Sequence, residues 1–419
     1  MTQESNIFPY IARLLQGAEV VWKPLGELCE FSNTGVDKKT IEGEKKVRLL
    51  NFVDVFHKQY ITKETPTMIV SASDKKILDC NILKGDVFIT PSSEILDEIG
   101  YSATAIEDIE GAVYSYHIMR LRIYDKEILH PEYLAYLFSS DSVRKQIRIK
   151  AQGITRFGLT LPRWKSIQIP LPPLSVQQEI VRILDKFTQL EVELEAELEG
   201  RKRQYEYYRN KLLTFNEIGG GTEIVWKTLG EVVEASKNVK WQNNKNTYDY
   251  IDLTSVCRDT GNILETLKIK ADNAPSRAQK IVQLDDVIFA TTRPSQMRIA
   301  LIPEVFDEQI ASTGYCILRA DKVNVLPKWI FFVLSTTEFK KFIEENQSGT
   351  AYPAISDGKL KEFKIPLPPL EEQQRIATIL DKFDTLVNSI SEGLPKEIAL
   401  RRKQYEYYRE KLLTFTNDK

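Results

Sequence analysis

Basic side chains gather in one segment of the first half of the chain. Residues 144–165 hold seven lysine and arginine side chains and no acidic one. Such side chains can neutralise nucleic-acid phosphates, and an arginine can donate two hydrogen bonds to a guanine edge. A glycine-containing tip at the centre could enter a groove, although a solvated basic helix followed by an ordinary loop would have the same composition. The candidate contacts are Arg144, Lys145, Arg148, Lys150, Gly153, Thr155, Arg156 and Phe157.

The second half of the chain has a counterpart to this tip. Residues 347–356, with the sequence QSGTAYPAIS, keep a glycine and an aromatic residue in similar places but contain no arginine. The loss of a bidentate donor from the same loop would suit a different target base. The candidate contacts here are Ser348, Thr350 and Tyr352.

A second basic and acid-free segment is ASKNVKWQNNKNTY, residues 235–248. Asparagine pairs well with adenine edges and lysine with phosphate, so this early loop could also contact nucleic acid. A plain surface turn is the alternative. The candidate contacts are Lys237, Lys240, Trp241, Asn243 and Lys245.

Two short polar loops follow strand-like runs, the positions where binding residues commonly lie. Thr292 and Arg293 come after DDVIFA, and Ser92 comes after DVFI. Arg293 could equally be a structural ion-pair partner. We therefore include Ser92, Thr292 and Arg293 among the candidate nucleic-acid contacts.

Composition limits what these candidates can mean. The 419-residue chain has a formal net charge of −2 and a pI near 6.1, so any phosphate-binding surface must be a local patch. The four cysteines form no CxxC pair and the three histidines do not cluster with them. We therefore expect neither a disulfide framework nor a metal site.

Motifs of enzymes and of exported proteins are missing from the sequence. No NPPY or DPPY methyltransferase motif, GxGxxG or P-loop is present, which favours a non-catalytic protein. No stretch has the pattern of a signal peptide or of a membrane span. The expectation is a cytoplasmic protein without membrane contact.

An internal repeat with a period of about 200 residues organises the chain. VWKPLGE from Val21 matches VWKTLGE from Val225 at six of seven positions. The 19 residues from Ile169 match those from Ile365 at 14 positions, and the 15 residues from Arg201 match those from Arg401 at 12. The residues between the first two blocks differ widely. Matched connectors with unmatched modules indicate one shared device carrying two different recognition surfaces.

Each connector predicts a long helix. Pro172 and Pro173 favour an extended entry, and Ser175 with Gln178 fits a capping box, so we expect the helix to begin near Ser175. Apolar residues then recur at spacings of four and three, which is typical of a coiled coil. Forty residues correspond to a length of about 60 Å. The second copy, residues 371–415, is the natural antiparallel partner.

These observations predict an α+β protein with two mixed, strand-rich recognition domains and a pair of long antiparallel helices. Gly393 and Pro395 predict a break in the second helix at 391–395. We name the recognition domains module one (residues 20–172) and module two (223–368). The other segments are an N-terminal helix packing near the C-terminal helix (1–19), a central helix (173–215), a glycine-rich linker (216–222) and a C-terminal helix (369–416).

The repeated blocks resemble those of the specificity subunits of type I restriction-modification systems. IPLPPL, followed by QQxI and ILDKF, occurs twice in this chain. The resemblance implies a non-catalytic subunit whose two domains each recognise one half of a bipartite sequence in double-stranded DNA. It also implies that the helices set the spacer and dock two methyltransferase subunits, which bind S-adenosylmethionine, and that restriction or translocase subunits join them.

Two alternatives remain open from the sequence. The first is a scaffold whose coiled coil joins two protein-binding modules, and it differs from a DNA-binding protein in lacking salt-sensitive DNA affinity. The second is a specificity subunit of a restriction enzyme outside type I, which would differ in the subunits that co-purify with it.

Overall fold

The computed structural model describes residues 8–215, 224–389 and 391–415. The predicted glycine-rich linker at 216–222 lies outside these residues. The chain forms two compact units: unit one contains Met1–Val192 with Leu400–Lys419, and unit two contains Glu193–Ala399. Each unit therefore combines one module with parts of both connector helices.

Unit one holds a five-stranded and a three-stranded sheet, ordered β2-β10-β6-β8-β4 and β5-β3-β9. Its central strand β6 is buried throughout, as expected for a short apolar run covered on both faces. The strands are β1 Val21–Pro24, β2 Cys29–Ser32, β3 Lys45–Leu50, β4 Tyr60–Ile61, β5 Met68–Ala72, β6 Val87–Ile89, β7 Ser92–Ser93, β8 Ser102–Ala105, β9 Ala112–Tyr114, β10 Met119–Ile123, β11 Phe157–Gly158 and β12 Gln168–Leu171. The helices are α1 Pro9–Leu15, α2 Leu25–Leu28, α3 Phe52–His57, α4 Asp74–Asp79, α5 Pro131–Leu137, α6 Asp141–Lys150 and α7 Leu161–Lys165.

The central connector is one continuous helix, α8 Leu174–Leu213, of 40 residues. It begins one residue before Ser175, and the main-chain amides of Val176 and Gln177 donate to the carbonyl oxygen of Pro173. The predicted capping box is therefore wrong, because Ser175 already lies in the first turn. The second connector likewise begins without a side-chain cap, after Pro369.

Unit two contains two four-stranded sheets, ordered β14-β21-β18-β19 and β16-β15-β20-β17. Its strands are β13 Val225–Thr228, β14 Val233–Glu234, β15 Tyr248–Ile251, β16 Leu267–Ile269, β17 Ala278–Ile281, β18 Val287–Ala290, β19 Ile299–Leu301, β20 Ile310–Ser312, β21 Tyr315–Ala320 and β22 Lys364–Leu367. Its helices within the module are α9 Pro327–Val333, α10 Thr337–Asn346 and α11 Asp357–Leu360. Both modules are thus mixed α+β structures, which confirms the predicted fold class.

Two of the repeated sequence blocks are strand partners. In unit one, β1 pairs antiparallel with β12, and Val21 lies opposite Leu171. In unit two, β13 pairs with β22 in the same register, and Val225 lies opposite Leu367. In each half, the VWK and IPLPPL blocks therefore form one strand pair. This pair closes the module at the start of the connector helix, which explains why both blocks are repeated.

The second connector consists of two helices, α12 Leu370–Asn388 and α13 Leu394–Leu413. Pro395 occupies the first turn of α13, where its missing amide hydrogen breaks no helical hydrogen bond. Gly393 precedes it with φ +86°, and a Cβ there would lie 2.5 Å from the carbonyl oxygen of Thr385. Glycine is thus needed between the helices, and proline begins the new helix.

Within unit one, α8 packs against α13 in antiparallel orientation. The Phe187 ring stacks on Tyr408 with centroids 5.6 Å apart, and Glu191, further along α8, accepts from Arg402 at 2.5 Å. Helix α1 packs into the hydrophobic core of unit one through Ile11 and Leu15. Within unit two, the Phe383 ring stacks on Tyr205 and Tyr208 at 6.3 and 6.0 Å.

Among the described residues, no helix is both long and apolar enough to span a membrane.

Candidate nucleic-acid interface

Two loops of equal length carry seven of the nineteen predicted contacts. Loop one comprises residues 152–158, where the main chains of Gln152 and Gly158 exchange two hydrogen bonds of 2.9 Å. Loop two comprises residues 348–354, where Ser348 and Ala354 exchange two hydrogen bonds of 2.8 Å. Each loop follows the same element of its module, α6 in the first and α10 in the second. The two loops are therefore equivalent position by position.

A glycine stands at the second position of both loops. Gly153 has φ +133°, and a Cβ there would lie 1.8 Å from the carbonyl oxygen of Arg156. Gly349 has φ +93°, and its Cβ would lie 3.0 Å from the carbonyl oxygen of Tyr352. Both glycines are thus required by the main chain. Gly153 shapes the tip and offers no side chain to DNA.

Loop one rests on the polar segment that follows β6. Phe157 and Gly158 form the short strand β11, which pairs with β7, and the Phe157 side chain is half-buried against the core. The Nε of Arg156 donates to the Oγ of Ser92 at 3.1 Å. Thr155 and Arg156 are exposed. The structure thus brings Ser92 next to Arg156 and its neighbour Thr155. The sequence could not link these two segments of the chain.

One highly exposed side chain of loop one was not among the predicted contacts. Ile154 is 94% exposed at the tip. Apolar side chains at such positions contact thymine methyl groups or wedge between base steps. The signal in the sequence was a β-branched apolar residue in the middle of a basic, glycine-containing loop.

Main-chain hydrogen bonds connect loop two to the segment after β18. The amide of Arg293 donates to the carbonyl oxygen of Pro353 at 2.7 Å, and Thr292 forms a bridge with Ala354. The Arg293 guanidinium lies 5.6 Å from the ring centroid of Tyr352, which is 73% exposed. Arg293 forms no ion pair with any residue that the structure describes, so the alternative of a structural ion-pair partner is not supported. Stacked arginine and tyrosine together form a platform on which a base can stack.

The main chain around Arg293 is strained. Arg293 and Met297 both adopt left-handed conformations, with φ +51° and +50°. Such conformations are uncommon for residues other than glycine and cluster at ligand-binding positions. The hydrogen bonds to loop two hold Arg293 in this conformation, so its side chain has a defined direction.

The basic side chains of α6 have different surroundings. The Arg144 side chain is 12% exposed and donates to the carbonyl oxygens of Asp97 and Ile99, and burial lowers its pKa. Arg144 thus uses these donors within the module, and its contact with a phosphate stays a prediction. Arg148 donates to the Asp97 carboxylate at 2.7 Å and Lys150 to Ser166 at 2.9 Å. Lys145 is exposed.

Residues 235–248 form a loop against the edge of the second sheet of unit two. The Nε1 of Trp241 donates to the carbonyl oxygen of Ala278 at 2.9 Å, and its ring packs edge-on against Tyr248. Trp241 is half-buried and held within the module by this hydrogen bond, and its contact with nucleic acid stays a prediction. The remaining predicted contacts of this loop are exposed: Lys237, Lys240, Asn243 and Lys245. Asn243 has φ +61°.

An ion pair with a buried aspartate lies at the start of β6 in module one and at the start of β18 in module two. Arg122 donates to both carboxylate oxygens of Asp86 at 2.7 Å, and Arg319 donates to both of Asp286 at 2.9 and 2.7 Å. Each aspartate is 1% exposed, and its hydrogen bonds raise the pKa of the arginine. These pairs explain the repeated aspartate directly before β6 and β18. They hold the strands that lead to Ser92 and Arg293.

The described residues contain no group of three or more histidine, cysteine, aspartate or glutamate side chains that could hold a metal ion. Cys29 and Cys316 are buried, and burial raises the pKa of each thiol to about 12. Neither is therefore a thiolate near neutral pH. Their positions, on β2 and β21, are those of small core residues.

Comparison with known proteins places this architecture. Residues 18–200 and 223–400 match the type I restriction modification DNA specificity domain. The type I restriction enzyme EcoR124I/EcoR124II specificity subunit of Escherichia coli is 31% identical, with 97% of each chain covered. A putative type I restriction enzyme specificity subunit, S.HindORF215P of Haemophilus influenzae, is 28% identical, with 97% of this chain and 98% of the relative covered.

Solved structures share the fold. The S subunit of a type I restriction-modification system from M. genitalium has a TM-score of 0.54 at 14% identity, with 99% of this chain and 100% of the other covered. A chain from a study of complex assembly and conformational transition of the type I R-M system has a TM-score of 0.62 at 16% identity, covering 94% and 98%. Two family matches over most of the sequence, with the duplicated modules and connectors, establish that the chain belongs to the type I restriction-modification specificity subunits.

Proposed function

We propose that each module contacts one half of a bipartite sequence in double-stranded DNA, module one through loop one and module two through loop two. The observation that carries this proposal is the pair of loops. They share length, closing hydrogen bonds and an obligatory glycine, yet Arg156 in loop one corresponds to Tyr352 in loop two. A shared loop conformation with different exposed side chains suits two different half-sites.

The connector helices set the spacer between the half-sites in this proposal. Helix α8 begins directly after module one and runs without interruption for 40 residues. A continuous helix has a defined length, so an insertion of four residues after Leu190 would add about 6 Å. We expect that insertion to change the spacer and to leave both half-sites unchanged. A change in the half-site sequences would contradict the role of the helix.

The same helices dock two methyltransferase subunits. Tyr207 and Tyr407 are 59% and 55% exposed, and a lysine lies 5.7 Å from each ring, Lys211 and Lys411 respectively. An exposed aromatic residue paired with a cation, repeated in both connectors, supports two equivalent docking sites. The chain itself is non-catalytic in this proposal. The methyltransferase subunits bind S-adenosylmethionine, and restriction or translocase subunits join the complex.

Co-expression with the neighbouring methyltransferase tests the function directly. We expect the modified bases to define a split motif with a fixed spacer, and the complex to lose DNA affinity steeply as salt rises. A Tyr207→Ala, Tyr407→Ala double variant should lose methyltransferase subunits on gel filtration. A wild-type complex that modifies no bipartite motif, and whose DNA binding is insensitive to salt, would contradict the proposal.

A further inference from the structure

A groove of about 410 Å³ lies beside loop one in module one. Arg156 lines one side, and Lys38, His117, Glu94 and Glu98 come from three other segments of the same module. None of these last four residues belongs to a predicted contact segment. Basic and acidic side chains therefore converge on one opening next to the tip that we propose to touch DNA.

Arg156 keeps donors free for a ligand in this groove. An arginine carries five N–H donors. In loop one, its Nε donates to the Oγ of Ser92 at 3.1 Å, and one terminal nitrogen is 3.5 Å from the carbonyl oxygen of the same residue. The contact with Ser92 orients the side chain and leaves the other terminal nitrogen available.

Glu94 is the matching acceptor. It is exposed, and it has no hydrogen bond or ion pair with any residue in the described part of the chain. Glu98 is instead occupied by the hydroxyl of Ser93, at 2.6 Å. Arg156 and Glu94 thus line one groove without neutralising each other, so both are available to a ligand that has acceptors and a donor.

The carboxylates distinguish between the parts of DNA that could enter. A phosphate would be attracted by Arg156 but repelled by Glu94 and Glu98. A base-pair edge has no net charge and presents both kinds of polar group. In the major groove, guanine offers two acceptors and its cytosine partner offers an amino donor. His117 is compatible with such a ligand, because burial and the nearby Lys38 and Arg156 lower its pKa and favour the neutral ring.

We infer that this groove recognises a G·C pair in the half-site of module one, with Arg156 donating to guanine and Glu94 accepting from the cytosine amino group. The inference rests on the proposed function. Module two lacks this pair of groups, because residues 291–297 contain no acidic side chain and Tyr352 replaces the arginine. The two half-sites are therefore expected to differ at this base pair.

The test uses the complex of the full chain with its methyltransferase subunits. Wild type, Glu94→Gln and Arg156→Ala are each given a randomised DNA library, and the methylated motifs are compared. Both variants should reduce the preference for the same G·C pair by roughly ten- to a hundredfold, with the other half-site unchanged. Glu127→Gln is the matched control, because Glu127 is an exposed glutamate of the same module outside the groove. It should leave the motif unchanged.

Glu94→Lys provides a second readout. If the groove faces DNA, the added cation should raise affinity for DNA of any sequence and steepen its salt dependence by about one unit. Unchanged affinity in Glu94→Lys, or a wild-type bipartite motif that Glu94→Gln leaves intact, would overturn the assignment of the groove alone. Failure of the wild-type complex to modify any bipartite motif would overturn the proposed function and the groove with it.

Discussion

Module one and module two share a buried aspartate paired with an arginine and differ in the exposed side chains of loop one and loop two. Asp86 with Arg122 and Asp286 with Arg319 form the same two-point ion pair at the start of β6 and of β18. At the loops above, Arg156 faces solvent in one module and Tyr352 in the other. A buried charge without its partner is costly, whereas an exposed side chain can change at little cost to folding. The comparison separates residues that build the module from those that present its surface.

The junction of each module with its connector helix shows the same constraint. Buried Gln177 donates to the carbonyl oxygens of Pro172 and Ile128, both at 2.8 Å. Buried Gln373 donates to Pro368 and Asn324 at 2.9 and 3.1 Å. Each glutamine thus satisfies main-chain groups of the loop that precedes α5 or α9. This explains one glutamine of the repeated QQ pair.

The largest expected effect tests the shared ion pair. Asp86→Ala should lower the free energy of unfolding of module one by about 3 to 5 kcal/mol, because Arg122 would be left without its partner in a partly buried site. Asp286→Ala should have a similar effect on module two. Urea unfolding with limited proteolysis measures both. Wild-type stability in either variant would show that the ion pairs are not equivalent.

Substitutions of the exposed side chains of loop one and loop two should weaken DNA binding and leave folding intact. Arg156→Ala is expected to weaken binding by about 1 to 3 kcal/mol and to relax one half-site only. Tyr352→Ala should relax the other half-site, since it removes the ring on which Arg293 stacks. Equilibrium binding to duplexes changed at one half-site measures this. Lys145→Ala is the control, because the loss of an exposed lysine should weaken binding to all sequences alike. Both half-sites changing in Arg156→Ala would contradict the separation of the loops.

The two loop glycines should differ in their tolerance of a side chain. Gly153→Ala places a Cβ 1.8 Å from a main-chain oxygen, whereas Gly349→Ala places it at 3.0 Å. We expect Gly153→Ala to weaken DNA binding about tenfold, or ~1.4 kcal/mol, and Gly349→Ala to weaken it less. Titration of the complex with its target duplex ranks the two variants. Equal losses would mean that the loops relax to the same extent.

The smallest expected effect concerns Asp384, a carboxyl group with no counterpart at the equivalent position of unit one. Asp384 accepts from Tyr205 at 3.2 Å and from Asn388 at 2.9 Å, and burial raises its pKa. The position corresponds to Thr188 in unit one. A raised folded-state pKa means that its stabilising contribution is complete below the unfolded-state pKa and is lost as pH rises through the folded-state value.

Asp384→Asn should therefore raise the free energy of unfolding slightly at pH 7, with the gain disappearing below about pH 4. Unfolding curves recorded across this pH range measure the change. Thr188→Val serves as the control because the variant neither removes nor adds a carboxyl group. A pH dependence identical to that of wild type would show that the Asp384 carboxylate is adequately solvated.

The repeat was accessible from the sequence because its blocks are buried or paired in both units. The matched segments form β1 with β12, β13 with β22, and the packed faces of the connector helices. The candidate contacts were harder to assign, because charge does not reveal burial. Arg144 and Trp241 look like surface residues in the sequence, but their donors are used by main-chain carbonyl oxygens of the module.

The sequence by itself determined the family, the α+β fold class and the duplication, because these depend on long patterns of apolar spacing and on repeated blocks. Only the tertiary structure decided which polar side chains share a surface. Ser92 meets Arg156 across 64 residues, and Arg293 meets loop two across a similar distance along the chain. Such contacts depend on the pairing of strands that are far apart in sequence, and local patterns carry no information on that pairing.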